Sequence, residues 1–284
     1  MSVGGHRLTL IAESNSSRTE WCLVEGGDVK ERAFTEGLNP FFMSRREVSH
    51  IVRLQLPEVF FRRRWEHVFF YGAGCSNVEK RQMMEASLIA QFKTPATVFS
   101  DLEGAARGLL IREPGLACII GTGSNSCLYD GERIVKNVRP LGFILGDEGS
   151  GAAMGRIFVG DCLKNLAPQE LAQEFYEQYK ITPDAIMDSV YNNPQASRNL
   201  TEYSFFLARH LHNDYVRALV ANELMRFFER NISQYDYEKY DLSVVGEVGC
   251  KYTEILLDVA QKFGVKIKKV VRDSMPGLIL YHSL

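Results

Sequence analysis

No two cysteines in this 284-residue chain are spaced as a CxxC pair, and no histidine stands where it would complete a metal-ligand set. Cys22, Cys75, Cys118, Cys127, Cys162 and Cys250 lie far apart, a pattern that argues against a zinc site. Cys22 and Cys118 fall inside apolar runs, where a free thiol behaves as a small hydrophobe. The chain also lacks a basic surplus: its formal net charge is −2, so nucleic acid is not expected as a partner. Arg62-Arg63-Arg64, broken by Trp65, reads as a solvated turn between a helix and a strand. No apolar run reaches transmembrane length and no signal-type apolar core follows the first basic residue. A membrane is therefore not an expected partner, and the cytoplasm is the default setting.

What is present begins with length, which is enough for two domains of ordinary size with real cores. The most informative stretch runs from Ala117 to Gly131. An apolar run breaks at Gly121-Thr122-Gly123-Ser124-Asn125, a second strand returns, and Asp130-Gly131 reverses the chain again. Glycines let backbone N–H groups approach an anion closely, and small hydroxyls add donors, so a phosphorylated ligand suits this turn. The same residues also serve in ordinary hairpins. Gly146-Asp147-Glu148-Gly149-Ser150-Gly151 then sets two acids between glycines just ahead of a helical run, a pattern that suits ligand hydroxyls or a metal better than a core.

Periodicity predicts strands over 7–12, 19–24, 29–35, 67–71 and 96–99 and helices over 44–56, 78–91 and 102–110. The order is β-β-β-α-β-α-β-α. It restarts with strands at 116–120, 124–129 and 132–137, followed by a largely helical stretch over 151–231 and by strands at 242–245 and 266–269 flanking a helix at 252–263. Each start is an apolar strand, a small polar turn and a returning strand, so the sequence reads as a duplicated α/β unit with Pro114-Gly115 as a hinge. Two such units with a cleft between them would bring both small-residue turns to one ligand.

These motifs resemble the N-acetylglucosamine kinase and BadF/BadG-type ATPase group of the actin-like ATPase and sugar kinase superfamily, over nearly the full length. The carriers are Gly121-Thr-Gly-Ser-Asn125 and Gly146-Asp-Glu-Gly-Ser150, supported by Gly37-Leu-Asn-Pro40, Tyr71-Gly-Ala-Gly74 and Ser100-Asp-Leu-Glu-Gly-Ala105. The resemblance implies an α/β fold of duplicated actin-like (ribonuclease H-like) domains, 1–113 and 114–284, with a central cleft, helical insertions in the second domain and the final helix packing back on the first. It implies ATP and Mg2+ as cofactors, a small-molecule sugar as substrate, and an ATP-dependent kinase acting on the 6-hydroxyl of an amino sugar such as N-acetylglucosamine. A homodimer is compatible with it.

Carried over residue by residue, the resemblance makes Asp101 the base for the attacking hydroxyl and a sugar contact. Its acid before a small-residue helix also fits N-capping. Ser14, Ser16, Ser17, Arg18 and Thr19 would join Gly121, Thr122, Gly123, Ser124 and Asn125 around the nucleotide phosphates. Asn39, Thr122 and Asp147 would hold the sugar, Gly246 and Glu247 would meet adenosine, and Glu13 would orient magnesium through water.

The chain departs from the family pattern mainly around the nucleotide. Where the family shows Asp-x-Gly-x-Thr-Lys-Thr, it reads Glu13-Ser-Asn-Ser-Ser-Arg-Thr19. The acid is longer, Asn15 replaces a glycine whose space phosphate would use, and Arg18 is a planar fork in place of a point charge. Glu247 adds an anion where a small residue is usual, and Pro276 alters the familiar ending in Ser274-Met-Pro-Gly277. Two other readings stay open: a sugar-binding sensor on a weakened kinase scaffold, and a BadF-type ATPase activator that would use cysteines for an iron–sulfur cluster.

Overall fold

A three-stranded meander followed by two parallel strands is the pattern from which both halves of the chain are built. Residues 8–15, 17–62 and 65–284 are described by this computed structural model; Ser16, Arg63 and Arg64, named above, and residue 7 of the first expected strand lie outside them. The described residues form two compact units, one within Met1–Glu113 with Gly131–Arg133 and Ser274–Leu284, the other of Pro114–Asp130 and Ile134–Asp273.

In the first unit β1 (Leu8–Ser14), β2 (Arg18–Glu25) and β3 (Asp28–Glu36) are followed by α1 (Arg45–Gln55), α2 (Val59–Arg62), β4 (His67–Gly72), α3 (Val78–Phe92), β5 (Ala96–Ser100) and α4 (Asp101–Leu110). The sheet order is β3-β2-β1-β4-β5, with β1 antiparallel to β2 and parallel to β4, and β4 parallel to β5. Local chemistry sets the helix starts. Ser44 and Glu47 form a capping box on α1, Asn77 caps α3, and Ser100 with Glu103 forms a second box on α4. Trp21, Phe70, Leu10 and Phe60 are fully buried and fill the core beneath α1 and α3. The cluster at residue 62 differs from its reading as a plain turn: Arg62 closes the short helix α2 and pairs with Glu58 at 2.6 Å.

In the second unit β6 (Gly115–Ile120), β7 (Ser124–Tyr129) and β8 (Ile134–Val138) precede α5 (Gly142–Leu145), α6 (Gly151–Leu163), α7 (Gln169–Tyr179), α8 (Pro183–Tyr191), α9 (Ala196–Ala208) and α10 (Asp214–Arg230). Then come β9 (Leu242–Val245), α11 (Glu247–Lys251), α12 (Thr253–Phe263) and β10 (Ile267–Val271). The sheet order is β10-β9-β6-β7-β8, again with an antiparallel meander and two parallel neighbours. The duplicated α/β unit expected from the sequence is present in this identity of order and sense, and the helices α5 to α10 are the insertion. Their core is aromatic, with Phe158, Phe175 and Phe206 buried in mutual contact.

The chain ends in α13 (Met275–Ser283), which packs on α4 and β1 of the first unit. The approach is close: a side-chain carbon at Gly277 would stand 1.8 Å from the carbonyl oxygen of Gly108, so only glycine fits there. His282 stacks on Phe69 at 3.9 Å between ring centroids and shares a hydrogen bond with the Tyr71 hydroxyl at 2.8 Å, and that hydroxyl accepts from Arg107 at 3.1 Å. Burial pushes the His282 pKa down from 6.5 to about 4, and the charges of Arg107, His67 and Arg112 add to it. A histidine held neutral in the fold but free to charge when unfolded makes the unfolded state bind the extra proton first. Stability is therefore complete above about pH 6.5 and declines by about 1 kcal/mol per pH unit from there toward pH 4. His282→Gln keeps a polar partner for Tyr71 and should flatten that slope in urea titrations between these pH values. Equal slopes in the two proteins would mean that another group titrates.

Candidate active site

Three parallel strands of the first unit end level with one another. Ser14 pairs with Gly72 across β1 and β4, and Gly72 pairs with Ser100 across β4 and β5. The loops that follow these strands therefore share the carboxyl edge of the sheet, the edge where ligands of open α/β sheets bind. Leu38 is drawn to the same edge, because its N–H donates to the Ser14 hydroxyl at 2.8 Å and that hydroxyl donates to the Leu38 carbonyl at 3.2 Å. The turn of Gly37-Leu-Asn-Pro40 is thus held beside the ends of β1 and β4. Gly74, with φ +79, leaves room for Asn39, whose Oδ1 would lie 2.1 Å from any side-chain carbon at that position. Asn39 Oδ1 accepts from the Phe41 N–H at 3.0 Å, and its amide nitrogen donates to no group among the described residues.

Asp101 opens α4 but does not cap it. Ser100 accepts the Glu103 N–H at 3.1 Å and Glu103 in turn accepts the Ser100 N–H at 3.0 Å, so the capping box is complete without Asp101. The Asp101 carboxylate accepts the adjacent Leu102 N–H at 2.9 Å. Burial raises its pKa above the ordinary 3.8, backbone N–H groups pull it back in part, and Glu103 adds to the rise. Asp101 in turn adds to the rise of the buried Cys75 thiol, whose pKa burial pushes up to about 12. A carboxylate that the helix does not need, with raised basicity at a sheet's carboxyl edge, has the properties of a general base.

The β1–β2 loop is closed on itself. The hydroxyls of Ser14 and Thr19 are buried and lie 2.8 Å apart, and Thr19 donates to the Glu36 carbonyl at 3.0 Å. These two residues frame the loop. At its tip, Asn15 Oδ1 accepts the N–H of Ser17 at 2.9 Å, the N–H of Arg18 at 3.0 Å and the Ser17 hydroxyl at 2.9 Å. One carboxamide oxygen thus takes three donors of Ser17 and Arg18. Asn15 is not among the residues with positive φ, so the glycine it replaces is missed for space and donors, and not for left-handed backbone. Arg18 lies over the Phe34 ring at 5.1 Å. Glu13 accepts a hydrogen bond from the Ser274 hydroxyl at the start of α13.

The second unit presents an open counterpart. Gly121 N–H bonds the Gly123 carbonyl at 2.9 Å, while the N–H groups of Thr122 and Gly123 have no partner among the described residues. The turn is tied to the start of α6, since Gly151 and Ala152 donate to the carbonyls of Gly121 at 2.9 Å and Thr122 at 3.2 Å. Ser124 donates to the Glu148 carbonyl at 2.7 Å, and Asn125 Oδ1 accepts from Asn137 at 2.9 Å. The two acids of the following motif part ways. Asp147, at φ +53, sets its carboxylate beside Gly123, where a side-chain carbon would meet Oδ2 at 2.8 Å. Glu148 turns instead to Arg230 at 2.5 Å and Asn231 at 3.3 Å. Gly246 (φ +134) follows β9 directly against the end of β6, and the Glu247 carboxylate is met by Arg272 at 3.4 Å and Lys251 at 3.9 Å. Its charge, which would oppose phosphates if bare, is balanced by these two cations. The partners Ser274, Arg230 and Arg272 were not singled out by sequence spacing. Only Ser274 stood within a motif that pointed to it.

The first unit thus offers a buried acid, Asp101, at the carboxyl edge of its sheet, and the second an open glycine turn at residues 121–125. No model of a protein family matches the chain, and no curated protein sequence matches it. Among solved structures it is similar to a proposed N-acetylglucosamine kinase of Porphyromonas gingivalis, at 39% identity and TM-score 0.93, over 97% of this chain and 98% of that one. A proposed N-acetylglucosamine kinase of Chromobacterium violaceum (15% identity, TM-score 0.74, 97% and 99% covered) and an ethanolamine utilization protein of Carboxydothermus hydrogenoformans (14%, 0.57, 96% and 89%) share the fold. The chain belongs to the N-acetylglucosamine kinase and BadF/BadG-type ATPase family of the actin-like ATPase superfamily.

If Asn15 holds the loop shut, Asn15→Gly should tighten binding of Mg·ADP by about fivefold, the worth of roughly 1 kcal/mol of freed donors. Calorimetry on both proteins reads this directly. An unchanged affinity would show that the carboxamide yields to phosphate at no cost.

Proposed function

We propose that the protein transfers the γ-phosphoryl group of ATP to the 6-hydroxyl of an amino sugar, N-acetylglucosamine or a related cell-wall sugar. The observation that carries this reading is Asp101: a carboxylate released from capping duty by Ser100 and Glu103, with raised basicity, beside a turn that displays Asn39. Family membership, with 39% identity to the Porphyromonas gingivalis protein, supports it.

In this account Asp101 accepts the proton of the attacking hydroxyl, and Asn39, Thr122 and Asp147 hold the sugar. The N–H groups of Thr122 and Gly123, with Ser124 and Asn125, receive phosphate oxygens at the open turn. Ser17 and Arg18 join them once Asn15 releases their N–H groups, while Ser14 and Thr19 keep the loop in shape. Gly246 and Glu247 border the adenosine. The Glu13 carboxylate, fixed by Ser274, would hold a hydrated magnesium ion through water. The ion bound with ATP supplies charge neutralisation to the phosphates, and phosphoryl transfer is otherwise a matter of positioning.

A sugar-binding sensor is the second reading, and the closure of the β1–β2 loop by Asn15 is the observation in its favour. The activator reading is less well supported, because Cys22, Cys75, Cys118, Cys127 and Cys162 are buried, and burial pushes their thiols away from the thiolate form wherever a shift is resolved.

Asp101→Asn should abolish sugar-dependent ADP release and leave sugar affinity within a few-fold, since the amide keeps the shape and loses the proton acceptor. In the parent, the acid limb of the kcat profile should lie above the ordinary aspartate value of 3.8, because the base works only when deprotonated and its pKa is raised. Equal turnover in the two proteins would remove Asp101 from the mechanism. Asp147→Ala should instead weaken sugar binding by about 1–3 kcal/mol through lost charge-assisted hydrogen bonds. Titration calorimetry with a panel of amino sugars checks this, and unchanged affinity for all of them would refute the role.

A further inference from the structure

The second unit contains a cavity of about 320 Å³ that none of the proposed sugar or nucleotide contacts uses. Val138 and Leu141 form its apolar wall, and Arg139, Arg230, Glu148, Asn231 and Gln234, whose amide donates to the Arg230 carbonyl at 2.6 Å, supply its polar groups. Glu148 and Asn231 are 7% and 6% exposed, so the polar floor is built into the fold and is not a chance meeting of surface chains. The hydrogen bonds on that floor are unequal in supply. Glu148 is the only carboxylate, and its two oxygens already accept from Arg230 Nε at 2.5 Å and Asn231 Nδ2 at 3.3 Å. Arg230 keeps its terminal nitrogens, and Arg139 makes no hydrogen bond or ion pair among the described residues. Two guanidiniums against one carboxylate leave an excess positive charge and a surplus of donors arranged as planar forks.

The wall is also held in an unusual conformation. Leu141 sits at φ +63, a left-handed backbone that an ordinary side chain rarely adopts, and such strain gathers at ligand clamps. The Asp147 N–H closes the same loop by donating to the Pro140 carbonyl at 2.9 Å. The cavity therefore touches the 140–147 loop from both sides, through Leu141 at its start and through Glu148 immediately after its end.

We propose that this cavity binds a small oxyanion, the phosphate of a monoester or a carboxylate, clasped by Arg139 and Arg230 with the ligand's apolar part against Val138 and Leu141, and that occupancy stiffens the loop that carries Asp147. Oxyanions match the geometry because a guanidinium fork pairs with two oxygens of either group at once. The site does not depend on the kinase reading, since it is defined and tested without sugar or nucleotide.

The test uses the full chain in a buffer free of phosphate and carboxylate, with inorganic phosphate and acetate as separate calorimetric probes. The parent should bind at least one of them, and Arg139→Gln should bind that probe at least about tenfold more weakly. Arg139 is exposed and unpaired among the described residues, so the variant should melt at the parent temperature. Hydrogen exchange supplies the second reading: amides of the 140–147 loop should slow several-fold on probe binding in the parent and not in the variant. Preference for phosphate assigns a phosphate ester, and preference for acetate assigns a carboxylate. Failure of the parent to bind either probe overturns the proposal. So does equal binding by the variant, which would place the anion at the glycine turn of residues 121–125.

Discussion

The level ending of parallel strands is the constraint on which the rest of the structure depends. Ser14, Gly72 and Ser100 stand in register, so three separate loops emerge at one edge although they are far apart in sequence. The Ser14 hydroxyl ties the turn of Leu38 and Asn39 to that edge, and the capping box of Ser100 and Glu103 fixes the start of α4 there. In the second unit, Ile119 and Val245 pair across β6 and β9, and Val245 and Val271 across β9 and β10, with the same result for the glycine turn and Gly246. A slip of one residue in either register would turn alternate side chains to the opposite face and separate the loops. The chemistry rests on hydrogen-bond ladders before it rests on any catalytic group.

The two glycine-and-hydroxyl turns, alike in sequence, differ in what their backbone donors are doing. In the β6–β7 turn the N–H groups of Thr122 and Gly123 face outward without partners among the described residues, while in the β1–β2 loop Asn15 has taken the donors of Ser17 and Arg18. In the proposed account, a phosphate at the β1–β2 loop would have to compete with a side chain already in place. The longer Glu13 is tied to the Ser274 hydroxyl from the far end of the chain. Glu247, which sequence alone leaves as a bare anion, is balanced by Arg272 and Lys251.

Elements with strong local signals were legible in the sequence. The strands at 124–129 and 242–245 stand where periodicity places them, and the other elements given bounds differ by a residue or two at their ends, while the stretch over 151–231 resolves into the separate helices α6 to α10. The short helices α2, α5 and α11 escaped, because four or five residues hold too few turns for a periodic signal and tertiary packing decides their shape. Asp101 was legible as an acid at a helix start, but only the completed box of Ser100 and Glu103 shows that the helix does not require it. Contacts such as Glu13 with Ser274 join residues at opposite ends of the chain, and no local pattern encodes them.

The central claim is that the chain moves phosphate to a sugar hydroxyl and does not merely bind the sugar. A coupled ADP-release assay on the parent protein, run over amino sugars with and without a 6-hydroxyl, tests it most directly. The account predicts ADP release that rises with an N-acylated amino sugar and vanishes with its 6-deoxy analogue, while both sugars bind. Binding of the sugars with no ADP release above background for any of them would contradict it and leave a sensor on a kinase scaffold.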